Sequence, residues 1–205
     1  MTALPVLDIA GFRTDPASAD GQRFVAELRA ICHEVGFFYL SGHGVAPELD
    51  AAIDAQARAL FDLPVEERLA IENVHSPQFR GYTRNGGEYT AGKQDRREQL
   101  DIGPEEPAPV LGPDSPAWLR LRCPNLWPVS LPGFRPAVER WLSELDGVGA
   151  ALLRGLALAL GQPVDHFGPI VDPRPDFRLK IIRYPAATMP DERQGLGEHR
   201  DAGFM

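Results

Sequence analysis

Cysteine is scarce in this sequence, with Cys32 and Cys123 its only two copies. Their separation fits no zinc-ligand spacing and no disulfide framework, so reduced thiols are expected. Long apolar runs are missing as well. The longest, residues 148–160, is broken by Arg154 and is too short to cross a bilayer. The opening Met1-Thr2-Ala3-Leu4-Pro5 has no basic segment leading into an apolar one, so no secretory signal is expected. Positive charge is in the minority: 21 Lys and Arg stand against 29 Asp and Glu, a net charge of -8. That balance argues against non-specific nucleic-acid binding and against docking on anionic membranes. It leaves room for a local basic pocket that holds a small molecule. Repeats and low-complexity tracts are also absent. A cytoplasmic protein with neither nucleic acid nor membrane as partner is the expectation.

What is present is ordinary globular material, 205 residues of which 43% are hydrophobic, enough for one domain with a core. Leu4 to Ile9 reads as a short strand. Ser18 or Asp20 can cap a helix whose apolar positions Phe24, Leu28, Ile31 and Val35 recur at helical spacing, ended by Gly36. Phe37 to Leu40 then predicts a buried strand, closed by a Gly42-His43-Gly44 turn that His43 would fix by hydrogen bonding. Pro47 suits the first turn of a second helix with Leu49, Ile53, Leu60 and Phe61 on one side. Pro64 stops it, and one more helical turn follows. Residues 72–116 read as loop-rich, with many Gly, Pro and charged residues. The longest helix is expected over residues 134–160, with Gly161 as its natural stop. A last strand is expected over residues 177–184, ended by Pro185.

The chemistry lies near the end, in Gly195-Leu196-Gly197-Glu198-His199-Arg200-Asp201. On a strand, residues i and i+2 share a face, so His199 and Asp201 can reach one metal ion. An imidazole with a carboxylate is two thirds of the facial triad that suits Fe(II) and leaves coordination positions open. Alone, such a tripeptide is commonplace. The context gives it weight, because several further motifs stand in order before it. These are Pro5-Val6-Leu7-Asp8, Gly36-Phe37-Phe38-Tyr39-Leu40-Ser41-Gly42-His43-Gly44-Val45, Phe61-Asp62-Leu63-Pro64 and Arg80-Gly81-Tyr82. Gly86-Gly87-Glu88-Tyr89-Thr90-Ala91-Gly92-Lys93, Asn125-Leu126-Trp127-Pro128 and the run from Leu179 to Pro185 complete them.

Together these motifs resemble the 2-oxoglutarate/Fe(II)-dependent oxygenases, in particular the isopenicillin N synthase-like branch, over nearly the whole chain. The resemblance implies an α+β fold: a helical N-terminal region followed by the start of a double-stranded β-helix (jelly-roll) core, incomplete in this chain. It implies three segments: a dioxygenase N-terminal region over 1–116, a helical segment over 117–175, and the first jelly-roll strands over 176–205. It further implies Fe(II) held by His199 and Asp201, with 2-oxoglutarate as co-substrate. A small-molecule substrate would be oxidised with O2 while 2-oxoglutarate loses CO2 to become succinate, the cofactor carrying the hard chemistry. A monomer is expected.

Tyr184 matches a position where relatives bind a co-substrate or substrate carboxylate; a packed strand aromatic is the alternative. Lys180 shares its strand parity and is a substrate-contact candidate, against a solvated outer-face lysine. Glu88 borders the substrate pocket of relatives, against a plain loop glutamate. Arg183, of opposite parity, should pair with a surface carboxylate, Trp127 should lie in the core or dock a helix, and Arg96-Arg97-Glu98 should form a solvated face. The family's third ligand, a His, and its Arg-x-Ser anchor for 2-oxoglutarate belong beyond residue 205, while His33, His43, His75 and His166 match no ligand position. The 205 residues alone are therefore expected to be inactive. Two alternatives stay open: a non-catalytic remnant or binding module of this fold, and an isopenicillin N synthase-like oxidase that does not use 2-oxoglutarate.

Overall fold

The computed structural model of the chain describes residues 3–171, 176–186 and 194–200. In chain order the elements are β1 (Val6–Asp8), α1 (Ala10–Thr14), α2 (Ala19–Glu34), β2 (Tyr39–Ser41), α3 (Pro47–Asp62) and α4 (Val65–Leu69). There follow β3 (Gly81–Thr83), β4 (Tyr89–Thr90), β5 (Lys93–Gln94), β6 (Glu98–Ile102), α5 (Phe134–Ala159), α6 (Gly168–Val171) and β7 (Leu179–Arg183). The fold is α+β. Its contacts group into two compact units, Met1–Ile53 with Ala137–Asp176, and Asp54–Pro136 with Phe177–Met205. Each compact unit joins an early stretch of the chain to a late one.

The first unit is mainly helical. Ser18 caps α2 through its hydroxyl, which accepts the Gly21 N–H at 3.1 Å. Phe24 and Leu28 of α2 are buried with Leu7, Ile9 and Phe12, and Leu152 and Leu156 of α5 pack on that cluster. The two helices approach closely at Gly155, where a Cβ would stand 2.9 Å from the Phe24 ring. The end of α5 is a Schellman motif: Gly161 N–H donates to Leu158 O at 2.9 Å and Gln162 N–H to Ala157 O at 2.8 Å, with Gly161 at φ +71°. The sequence expectation of a buried strand over Phe37 to Leu40 is corrected here. β2 pairs only with β1, in parallel, among the described residues. Phe38 and Leu40 pack inward, but Phe37 and Tyr39 alternate outward and are 71% and 63% exposed. His43 fixes its turn as expected, its Nδ1 accepting the Val45 N–H at 3.2 Å while its carbonyl accepts from Arg13.

The second unit is built on an antiparallel sheet of order β3-β6-β7 beside a small β4-β5 hairpin. Residues 72–116, loop-rich as read from the sequence, also hold four short strands. β3, β4 and β5 have only two or three residues each, too few for alternation to register. The motifs noted in the sequence interlock here. Gly81 stands at φ +108°, and a Cβ there would lie 2.4 Å from Ile71 O and 2.9 Å from Leu126. The Asn125 amide closes on Gly103 in both directions, accepting its N–H and donating to its carbonyl, each at 2.9 Å. Trp127, read as core or helix-docking, is partly buried; its ring meets Phe134 at the start of α5 and its Nε1 donates to Glu105 at 3.1 Å.

Candidate functional site

β6 and β7 present two chemically different faces. Glu98, Leu100 and Ile102 lie opposite Arg183, Ile181 and Leu179, and Gln99 and Asp101 lie opposite Ile182 and Lys180. On the first face Glu98 is buried and accepts from three groups. Tyr82 Oη donates at 2.6 Å, Arg183 Nε at 2.7 Å, and Arg68 Nη1 completes the set. Arg183 also reaches the exposed Asp62 at 3.4 Å and lies over the Phe61 ring. The surface carboxylate expected for Arg183 is thus present, but the shorter contact is to a buried one. Burial first, then the hydrogen bond to Glu98, pushes the Tyr82 phenol up to about 12. The solvated face expected of Arg96-Arg97-Glu98 is corrected, since Arg97 and Glu98 are buried. The signal was in the parity: Glu98 shares its face with Leu100 and Ile102.

On the second face Lys180 Nζ lies 2.9 Å from Asp101 Oδ1, and Gln99 Nε2 donates to Asp101 Oδ2 at 2.7 Å. Thr83 continues this polar face and accepts from Asn73 at 2.9 Å. Lys180 is partly exposed. Tyr184 follows the end of β7, half-exposed, with its ring against the backbone of Gly195. Glu88, half-buried, sits 3.7 Å from Arg97 Nη2.

His199 is exposed, and its Nδ1 lies 2.9 Å from Gly197 O. A carbonyl can only accept, so Nδ1 is the donor in this contact. Asp201, the second expected ligand, lies outside the described residues. Among the described residues, no group of three or more His, Cys, Asp or Glu stands ready to hold a metal.

Gln194 and Asp95 were missed by sequence reasoning. Gln194 Nε2 donates to Asp95 Oδ1 and to Thr90 O, each at 2.9 Å, while its own backbone carbonyl accepts Arg96 N–H at 2.6 Å. Asp95 is fully buried, and its other oxygen accepts Thr90 Oγ1 at 2.7 Å beside Arg97 at 3.2 Å. Nothing in the local sequence marks Gln194, because its partners lie about a hundred residues earlier in the chain.

With this geometry the chain belongs to the non-haem dioxygenases: residues 4–130 match the family model described as non-haem dioxygenase in morphine synthesis N-terminal. Its relatives carry the same class in their names. A protein of Dothideomycetidae sp. (strain 11243) named 2-oxoglutarate-dependent dioxygenase frbJ is 38% identical over 98% of this chain and 54% of its own length. A rice (Oryza sativa subsp. japonica) protein named homoarginine-6-hydroxylase 2-ODD-233 is 34% identical over 99% of this chain and 64% of its own. The chain thus spans between half and two thirds of these relatives. Among solved structures, a full-length Neurospora crassa protein in complex with alpha-KG superposes with a TM-score of 0.78 at 22% identity, over 98% of this chain and 61% of that one. At that identity the likeness is one of fold.

Proposed function

We propose that this protein is a 2-oxoglutarate- and Fe(II)-dependent oxygenase that oxidises a small molecule. The observation carrying the reading is the family match over residues 4–130 together with a relative 36% identical over 100% of this chain, so over its His-x-Asp segment as well. The β3-β6-β7 sheet fits the opening strands of a jelly roll. His199 and Asp201 are the residues to hold the metal, and the donor set suits Fe(II): one imidazole, with its Nδ1 against a carbonyl, and one carboxylate. When bound, Fe(II) with O2 and 2-oxoglutarate supplies the oxidising equivalents that convert a substrate C–H to C–OH, releasing succinate and CO2.

The remaining roles fall to the chain's own side chains. Tyr184 offers its phenol as a donor to a carboxylate of the co-substrate. Lys180, steadied by Asp101, offers its ammonium to an acidic or carbonyl group of the substrate, and Glu88 offers an acceptor held by Arg97. The ion pair between buried Glu98 and half-exposed Arg183 fixes the strand from which Lys180 and Tyr184 project.

The test is oxygen-dependent conversion of 2-oxoglutarate to succinate by the full-length protein, stoichiometric with oxidised substrate when substrate is added. His199→Ala and Asp201→Ala should each abolish it. Succinate release that persists in both variants would sink the assignment.

A further inference from the structure

The His-x-Asp segment is tied to the β4-β5 hairpin by contacts that reach His199 in three links. The first is Gln194, whose amide donates to Asp95 Oδ1 and Thr90 O at 2.9 Å each and approaches Lys93 O at 3.4 Å. The second is Gly197. A Cβ built there would stand 2.7 Å from Gln194 Nε2 and 2.8 Å from Gln194 Oε1, so the amide occupies the space a side chain would fill. The third is the Gly197 carbonyl, 2.9 Å from His199 Nδ1. At the far end, Asp95 is a fully buried carboxylate held by Thr90, Gln194 and Arg97. Such a group is costly to bury unless it is fully paired, and here its pairing joins the hairpin to the metal-bearing segment.

We infer that Gln194, clamped by Asp95, is a positioning residue for His199: its amide packs on Gly197 and so sets the carbonyl that orients the imidazole. This rests on the proposed reading of His199 as a metal ligand. The Gly197 carbonyl would be the direct partner of a ligating His199, and Gln194 stands behind it; loss of such a direct partner typically costs about 10–100-fold in metal affinity. The glycine at 197 follows from the same packing, since only a residue without a side chain leaves room for the amide.

The experiment uses the full-length protein under anaerobic conditions with Co(II) as probe, titrated by its visible d–d absorption. It is paired with nitrogen-15 NMR of the His199 ring in the metal-free protein. Gln194→Met removes the amide at similar length. Gly197→Ala leaves Gln194 in place and pushes its amide aside; because that amide is the end of a flexible side chain, this second variant tests the clamp even if the first folds poorly. Both should weaken Co(II) binding by about tenfold or more. Both should also shift the His199 ring away from its Nδ1–H tautomer.

Co(II) affinity within about twofold of the parent in both variants, or an unchanged tautomer, would overturn the positioning role. His199→Ala separates the two levels. If it loses Co(II) binding while Gln194→Met does not, only the clamp fails. If it binds Co(II) as the parent does, the ligand assignment fails and takes this inference with it.

Discussion

Glu98 is a buried carboxylate with three partners in the second unit. It accepts from Tyr82, Arg68 and Arg183 at once, out of water. Breaking a buried ion pair leaves an uncompensated charge, so Glu98→Gln should destabilise the protein by about 3 kcal/mol in denaturant unfolding. Tyr82 makes the same cluster sensitive to pH. Its phenol is raised from 10.0 in the unfolded chain to about 12 in the fold. The folded state therefore favours the neutral phenol. That contribution is complete below pH 10 and is lost as pH rises towards 12. Tyr82→Phe should flatten that part of the pH–stability curve; a curve that still matches the parent would contradict the assignment. The cluster was legible in part. Parity along Glu98-Gln99-Leu100-Asp101-Ile102 places Glu98 on the apolar face, yet its partners Arg68 and Tyr82 come from elsewhere in the chain, beyond what a local pattern can show.

At the scale of elements, helices were easier to read than strands. The helix expected over residues 134–160 is α5, and of the two cap candidates, Ser18 and Asp20, Ser18 starts α2, with Gly36 just past its end. β3, β4 and β5 went unread within the loop-rich stretch because two or three residues carry too little alternation; β6 does alternate, but the strands' stability comes from pairing and from contacts distant in sequence. Gly81 shows what such a strand depends on. Its φ of +108° and the 2.4 Å approach of Ile71 O leave no place for a methyl group. Gly81→Ala should cost at least about 2 kcal/mol and lower the thermal midpoint. An alanine variant as stable as the parent would show that the β3 turn relaxes freely. Phe37 and Tyr39 carry the complementary lesson: a run of four apolar residues indicates a strand without saying that both its faces are covered.

For the whole molecule, the ordered motifs were the strongest signal, and the family match over residues 4–130 agrees with them. The structure adds why they occur together, since Gly81 meets Leu126 and Gly103 meets Asn125 within one unit. It also adds the Gln194–Asp95 clamp, which no spacing revealed. The central claim is that His199 and Asp201 bind Fe(II) with 2-oxoglutarate, and anaerobic titration of the full-length protein tests it most directly. Adding Fe(II) and then 2-oxoglutarate should raise a weak visible charge-transfer band, absent in His199→Ala and Asp201→Ala. No band in the parent, or the same band in both variants, would contradict the account.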